Sequence, residues 1–204
     1  MKLLLLSDTE SRYLWDYYQP GRLAQYDLIL ACGDLKADYL TFIATMARAP
    51  VLYVRGNHDT GYDRKPPEGC ICIEDQLYIY KGLRILGLGG SALYSGGSDQ
   101  YSEREMRRRI QKLRFRLLRS RGVDIVLTHA PAAGYGDTDD YAHRGFSCFL
   151  DLIDRYRPEY FIHGHVHMNY GRSIVRELRR NETKIINAYE RYEISAERGL
   201  QNPT

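Results

Sequence analysis

The chain has 204 residues, of which 44% are hydrophobic and 27% charged, and its formal net charge at pH 7 is +3. That length suits one well-filled core and is short for two, and the apolar content excludes an intrinsically disordered chain. So slight a charge excess gives no argument for a nucleic-acid partner, and no apolar run approaches the roughly 20 residues of a membrane-spanning helix.

Met1-Lys2 leads straight into the apolar run Leu3-Leu4-Leu5-Leu6, which ends at Ser7-Asp8. This is a buried strand and too short for a secretory leader, so a cytoplasmic protein without a membrane partner is expected. Its four cysteines, Cys32, Cys70, Cys72 and Cys148, are then reduced. Residues 12–25 are aromatic-rich and are predicted to be helical, interrupted near Pro20-Gly21. Residues 27–32 form a second buried strand. A stripe at Leu40, Ile43 and Met46 predicts a helix with Asp38 as its N-cap, ended by Ala49-Pro50. Residues 51–55 form a third strand. This alternation predicts parallel crossover units, whose ligands gather at the carboxyl ends of the strands.

Residues 60–69 read as an exposed loop. Cys70-Ile71-Cys72 has no second Cys or His pair nearby and reads as free thiols beside a strand, not half of a metal site. Strands at 77–80 and 83–88 are joined by Lys81-Gly82 as a hairpin turn. The stretch Gly87-Leu88-Gly89-Gly90-Ser91 lacks the Gly-Lys-Ser/Thr of a phosphate-cradling loop and reads as a close-packed turn passing the site. Residues 102–121 form a long helix started by a Ser102/Glu105 capping box. Met106, Ile110, Leu113 and Leu117 line one face; Arg104, Arg107, Arg108, Arg109, Lys112, Arg114, Arg116, Arg119 and Arg121 occupy the others. That pattern favours a solvated outer face over a polynucleotide track. A strand at 123–128, a helix at 146–156 and a strand at 159–163 follow. Residues 173–178 and 183–188 alternate as a terminal hairpin. A single domain over 1–195 and a disordered tail over 196–204 are expected.

Five apolar runs share one ending: Ser7-Asp8, Gly33-Asp34, Gly56-Asn57-His58-Asp59, Thr128-His129 and Gly164-His165-Val166-His167. Five strands that each end in ligand-type residues point to one polar site at a common sheet edge. His165 and His167 stand two apart, so on an extended segment both face the same way, as do Asp8 and Glu10. With Asp34, Asn57 and His129 these make seven N/O donors, too many for one tetrahedral ion. They suit two ions about 3.5–4 Å apart with a bridging carboxylate, the arrangement used for phosphoryl chemistry. His163, just before the last motif, reads as a satisfied structural histidine. The loop after Pro131 can wall a substrate pocket, with His143 and Arg144 as candidate contacts and Arg55 and Tyr94 as weaker ones; a polar loop held by Asx turns is the equal alternative.

Asp8-x-Glu10, Gly33-Asp34, Gly56-Asn57-His58-Asp59, Thr128-His129-Ala130-Pro131 and Gly164-His165-Val166-His167 resemble, in order and spacing, the five motifs of calcineurin-like metallophosphoesterases. The resemblance implies an α/β/β/α sandwich of two mixed sheets flanked by helices. It implies a dinuclear phosphoesterase in which Asp34 bridges the ions, Asp8, Glu10 and His167 complete one, and Asn57, His129 and His165 complete the other. His58 would stabilise the transition state or protonate the leaving oxygen, with Asp59 orienting His58 or serving as a structural cap, and a hydroxide held between the ions would attack a small phosphodiester in preference to a monoester. One position departs: the first motif usually reads Asp-x-His and here has Glu10. The harder carboxylate favours Mn²⁺, with Fe, Mg²⁺, Zn²⁺ or Ni²⁺ as alternatives; the other outcome for Glu10 is that it turns away and leaves that site weak. The rival readings are a metal-dependent nuclease using the basic helix, and a non-catalytic scaffold of the same fold whose first metal site is impaired.

Overall fold

A computed structural model describes residues 1–169 and 174–196. Its first half runs β1 (Lys2–Ser7), β2 (Leu28–Ala31), α1 (Ala37–Met46), β3 (Val51–Tyr53) and β4 (Cys70–Cys72). Then come β5 (Gln76–Tyr80), β6 (Leu83–Leu88), β7 (Ser91–Ala92), β8 (Gln100–Tyr101) and α2 (Glu103–Arg119). The last part runs β9 (Ile125–Thr128), α3 (Ser147–Tyr156), β10 (Tyr160–His163), β11 (Glu177–Arg180), β12 (Thr183–Asn187) and β13 (Glu190–Ser195).

The strands form two mixed sheets, one ordered β13-β1-β2-β3-β4 and the other β11-β12-β10-β9-β6-β5, with β7 and β8 paired apart. In the first sheet β1, β2, β3 and β4 are mutually parallel; in the second β6, β9, β10 and β12 are. Leu3, Leu5, Leu30 and Leu52 from one sheet and Ile85, Ile125, Leu127 and Ile162 from the other share one buried cluster between the layers. The alternate residues face outward, Leu4, Leu6 and Ile29 towards α1 and Val126 and Phe161 towards α2 and α3. Strands buried on both faces read as continuous apolar runs, which is why these were so legible in sequence. The architecture is the expected α/β sandwich of two mixed sheets, with three helices among the described residues.

Local expectations fare unevenly. Residues 12–25 are not helical: they make isolated turns, such as Leu14 N–H and Trp15 N–H to the Ser11 carbonyl. Packing overrides propensity there, since the Trp15 ring stacks on Tyr39 with centroids 5.0 Å apart. Asp38 is not the cap of α1. Lys36 holds that position, and the Asp38 carboxylate instead meets Lys65 Nζ at 2.6 Å. Met46 is exposed, and Tyr39 joins Leu40 and Ile43 on the inner face. Cys70 and Cys72 lie within a strand of their own, as free thiols. The third strand stops at Tyr53, and the terminal hairpin pairs 177–180 with 183–187. Ser173 of the expected first hairpin strand falls outside the described residues; of the tail expected over 196–204, Ala196 is instead buried with its N–H on the Met1 carbonyl at 2.9 Å, and 197–204 fall outside the described residues. β13 was not foreseen; it pairs antiparallel with β1 along its full length.

α2 begins at the foreseen capping box, where Ser102 and Glu105 bond reciprocally. One residue breaks the expected pattern: Arg109 is not on the solvated face but buried among Met106, Leu113 and Leu117.

Candidate metal centre

β1, β2 and β3 run parallel and deliver Asp8, Asp34 and Asn57 to one edge of the first sheet, while β9 and β10 deliver His129 and His165 from the second. The loops approach closely, which explains the glycines at 33, 56 and 164. A Cβ on Gly56 would lie 2.0 Å from Asp34 Oδ1, and one on Gly164 would lie 1.8 Å from Ser7 Oγ. Close approach also bends the donors themselves: Asp8, Asp34 and His165 have φ of 64°, 55° and 68°. Non-glycine residues in the left-handed region cost free energy and gather at functional sites.

His129, fully buried, is the hub. Its Nδ1–H donates to the Cys32 carbonyl at 2.7 Å, which turns Nε2 towards the cluster. Around Nε2 stand Asn57 Oδ1 at 3.1 Å, His165 Nδ1 at 3.1 Å and Asp34 Oδ2 at 3.3 Å. Each partner is likewise held from behind. Asn57 Nδ2 donates to the Tyr94 hydroxyl at 3.0 Å, and His165 Nε2–H donates to the Ala142 carbonyl at 2.8 Å. Asp34 Oδ1 accepts the His58 N–H at 2.8 Å. Four N/O donor atoms suited to a metal therefore converge on one point. Their spacing is close to the edge of a coordination polyhedron, about 3.0–3.4 Å for ligands roughly 2.1 Å from an ion. Asp34, His129 and His165 place their donor atoms within 4.8 Å of one another.

The electrostatics also call for a cation. Burial works against the imidazolium of His129, yet the Asp34 carboxylate beside it prevails and pushes its pKa up to about 10. Asp34 is disfavoured by burial but held well below the usual carboxylate range by His129. His165 is held down to about 3, by burial first and then by the charge on His129. A proton on the hub thus supplies the positive charge that a divalent ion would supply. The residues fit a metal.

The remaining predicted residues sit as follows. Both Asp8 oxygens accept the His165 N–H, at 2.9 and 3.0 Å. His167 lies with its ring 4.9 Å from that of Tyr189 and lines a cleft of about 390 Å³ with Asp8, Asp34, His58 and His165. His165 and His167 do not share a face of an extended segment, because the backbone after His163 leaves the strand and turns left-handed at His165. The two reach one cleft through that turn. Glu10 is directed elsewhere: Oε1 accepts the Lys36 N–H at 3.1 Å, and Oε2 lies 3.7 Å from Lys36 Nζ. Asp59, buried, uses Oδ2 to tie the Asp34 N–H at 2.9 Å to the Gly56 N–H at 2.8 Å, so it clamps two ligand loops together. Its carboxyl is pushed up to about 7 by burial, against the pull of the Gly56 N–H.

His58 is exposed at the mouth and lines both the first cleft and a neighbouring one of about 430 Å³, as does Asp34. His143 lines the first cleft, its Nδ1 2.8 Å from Asp140 Oδ1 and its ring 5.0 Å from that of His165. Arg144 is exposed with its guanidinium 5.2 Å from the Tyr141 ring centre, and Arg55 pairs with Asp63 at 2.6 Å. His163 is buried, its Nδ1 3.0 Å from the Gly164 carbonyl. Sequence reasoning missed the Ala142 carbonyl and the Cys32 carbonyl. Backbone acceptors carry no residue-type signal.

Residues 1–169 match the family model described as calcineurin-like phosphoesterase. The chain belongs to that family. Among curated proteins, this family member is 26% identical over 194 residues to UPF0046 protein K07C11.7 of Caenorhabditis elegans, covering 84% of this chain and 65% of that one. It is 42% identical over 52 residues to UPF0046 protein T07D4.2 of the same organism, covering 24% of this chain and 13% of that one. The chain thus spans less than two thirds of the length of these relatives. In fold, the phosphoesterase-family chain resembles TT1561 of Thermus thermophilus, with a TM-score of 0.57 over 93% of this chain and 89% of that one at 13% identity. No helix among the described residues is long and apolar enough to cross a membrane.

Proposed function

We propose that the chain hydrolyses small phosphoesters, diesters in preference to monoesters, at a centre for two divalent ions. The observation that carries this reading is the convergence of Asp34, Asn57, His129 and His165 on one point, each held from behind by a second partner. These four would hold one ion. Asp8, His167 and Glu10 would hold the other, with Asp34 shared between them. When bound, such ions lower the pKa of coordinated water and neutralise charge on the phosphoryl oxygens.

The chain's own side chains do the rest. Asp59 keeps the Asp34 and Gly56 loops in register. His58, at the mouth with its N–H anchored on Asp34, delivers a proton to the departing oxygen. His143, oriented by Asp140, faces the cleft from the other wall and contacts the ester. Hard oxygen donors on the Asp8 side favour Mn²⁺.

Bis-p-nitrophenyl phosphate and p-nitrophenyl phosphate, each assayed on Mn²⁺-loaded protein, test the reading. Faster turnover of the diester is expected; no turnover of either by protein carrying two ions would overturn it. The Glu10–Lys36 contacts favour a second reading, a binding protein with one working metal site. It requires a single ion per chain and no hydrolysis.

A further inference from the structure

Arg109 is an arginine on the apolar stripe of α2 with only 9% of its side chain exposed. Its donors are all directed inward. Nε bonds Asp75 Oδ1 at 2.8 Å, Nη1 bonds the Gly89 carbonyl at 2.8 Å, and Nη2 bonds Glu74 Oε1. The guanidinium lies 4.2 Å from the centre of the Tyr101 ring. Glu74 passes the connection on: Oε1 also accepts the Gly89 N–H at 2.9 Å, and Oε2 accepts the Arg55 N–H at 3.2 Å. The Gly90 N–H closes the circuit by donating to the Arg55 carbonyl at 2.8 Å.

Both backbone groups of Arg55 are thereby fixed, two residues before Asn57. The segment that carries Tyr94, the partner of the Asn57 amide, leads directly out of Gly89-Gly90. Glu74 itself stands where the chain crosses from the first sheet, after β4, to the second, before β5. Asn57 comes from the first sheet and His129 from the second, so the spacing between these donors depends on how the two sheets are tied at this seam. A buried ion pair is a weak device for stability, since well-packed apolar side chains serve as well or better. It does specify one arrangement of the loops that it joins.

We propose that Arg109 is a positioning residue of the metal centre, holding Asn57 against His129 through Glu74. The inference rests on the metal-binding reading of that cluster. Its sequence signal was present but unread: an arginine three residues after Met106 and four before Leu113, in the middle of an apolar stripe.

Titration of Mn²⁺ into chelator-stripped protein, followed calorimetrically, tests it, with His129→Ala identifying the binding step that belongs to the Asn57–His129 side. Arg109→Met keeps the stem and removes the charge. It is expected to weaken that step by about 10- to 100-fold, the usual cost of losing a residue that orients a ligand. Arg107→Met, which breaks an exposed pair with Asp151, is expected to leave it unchanged. If Arg109→Met does not fold, Glu74→Gln replaces it, because an amide cannot accept at both oxygens and must release Arg55 or Gly89. A folded variant with a lower Tm and unchanged Mn²⁺ affinity assigns the network to stability alone and overturns the proposal. Absence of any binding step in the unaltered protein would sink the metal reading itself, a separable outcome.

Discussion

The two halves of the centre are held together in different ways. On the His129 side the donors are braced by neutral partners, the Cys32 carbonyl, the Tyr94 hydroxyl and the Ala142 carbonyl, and the donor atoms stand 3.1–3.3 Å from the hub. On the other side Asp8 spends both oxygens on the His165 N–H, and Glu10 is engaged by the backbone and ammonium of Lys36. The first half is assembled as it stands. The second has to exchange an existing contact before Glu10 can serve it. On the proposed two-ion reading, one centre would therefore contain a strong and a weak site, the difference coming from what the candidate ligands already hold.

Breaking the strong half should have the largest effect. His129→Ala removes the hub on which three donors converge, and it is expected to abolish the tighter ion, measured by metal analysis, together with all phosphoester turnover. Retention of both ions would contradict the assignment of the hub. His58→Ala should come next, lowering kcat by about 10²- to 10⁴-fold, the range of a lost proton-transfer group, at full metal content. A parallel loss of metal would make His58 a ligand instead.

The weak half predicts two smaller changes of opposite sign. Glu10→Gln should weaken the looser ion, and Lys36→Met, which removes the competing ammonium, should tighten it. Titrations in which neither variant moves the looser step would remove Glu10 from the ligand set. Smallest of all is Arg144→Ala. Exposed and set against Tyr141, it should leave KM for the diester unchanged, and a clear rise would bring Arg144 back to the substrate.

Legibility followed the physics of each segment. Strands buried on both faces show as unbroken apolar runs, so β1, β2, β9 and β10 could be read directly, and with them the residues at their ends. The capping box of α2 was legible because it is a local device within four residues. Residues 12–25 misled because their aromatic pattern is satisfied by stacking on Tyr39 and Phe42 and not by a helical face. β13 escaped notice because its alternation of charged and apolar residues finds its meaning only beside β1, which lies at the other end of the sequence.

Family membership and the parallel strands could be taken from the order of residues, and so could the candidate donors, because apolar runs and motif spacing are local properties of a chain. Which donors meet was settled by packing in three dimensions. His129 becomes a hub, Glu10 turns to Lys36 and Asp59 becomes a clamp through contacts between residues 25 or more positions apart. The first of these contacts crosses between the two sheets and the other two join loops at the ends of neighbouring strands of one sheet, so all three depend on which strands the fold sets side by side.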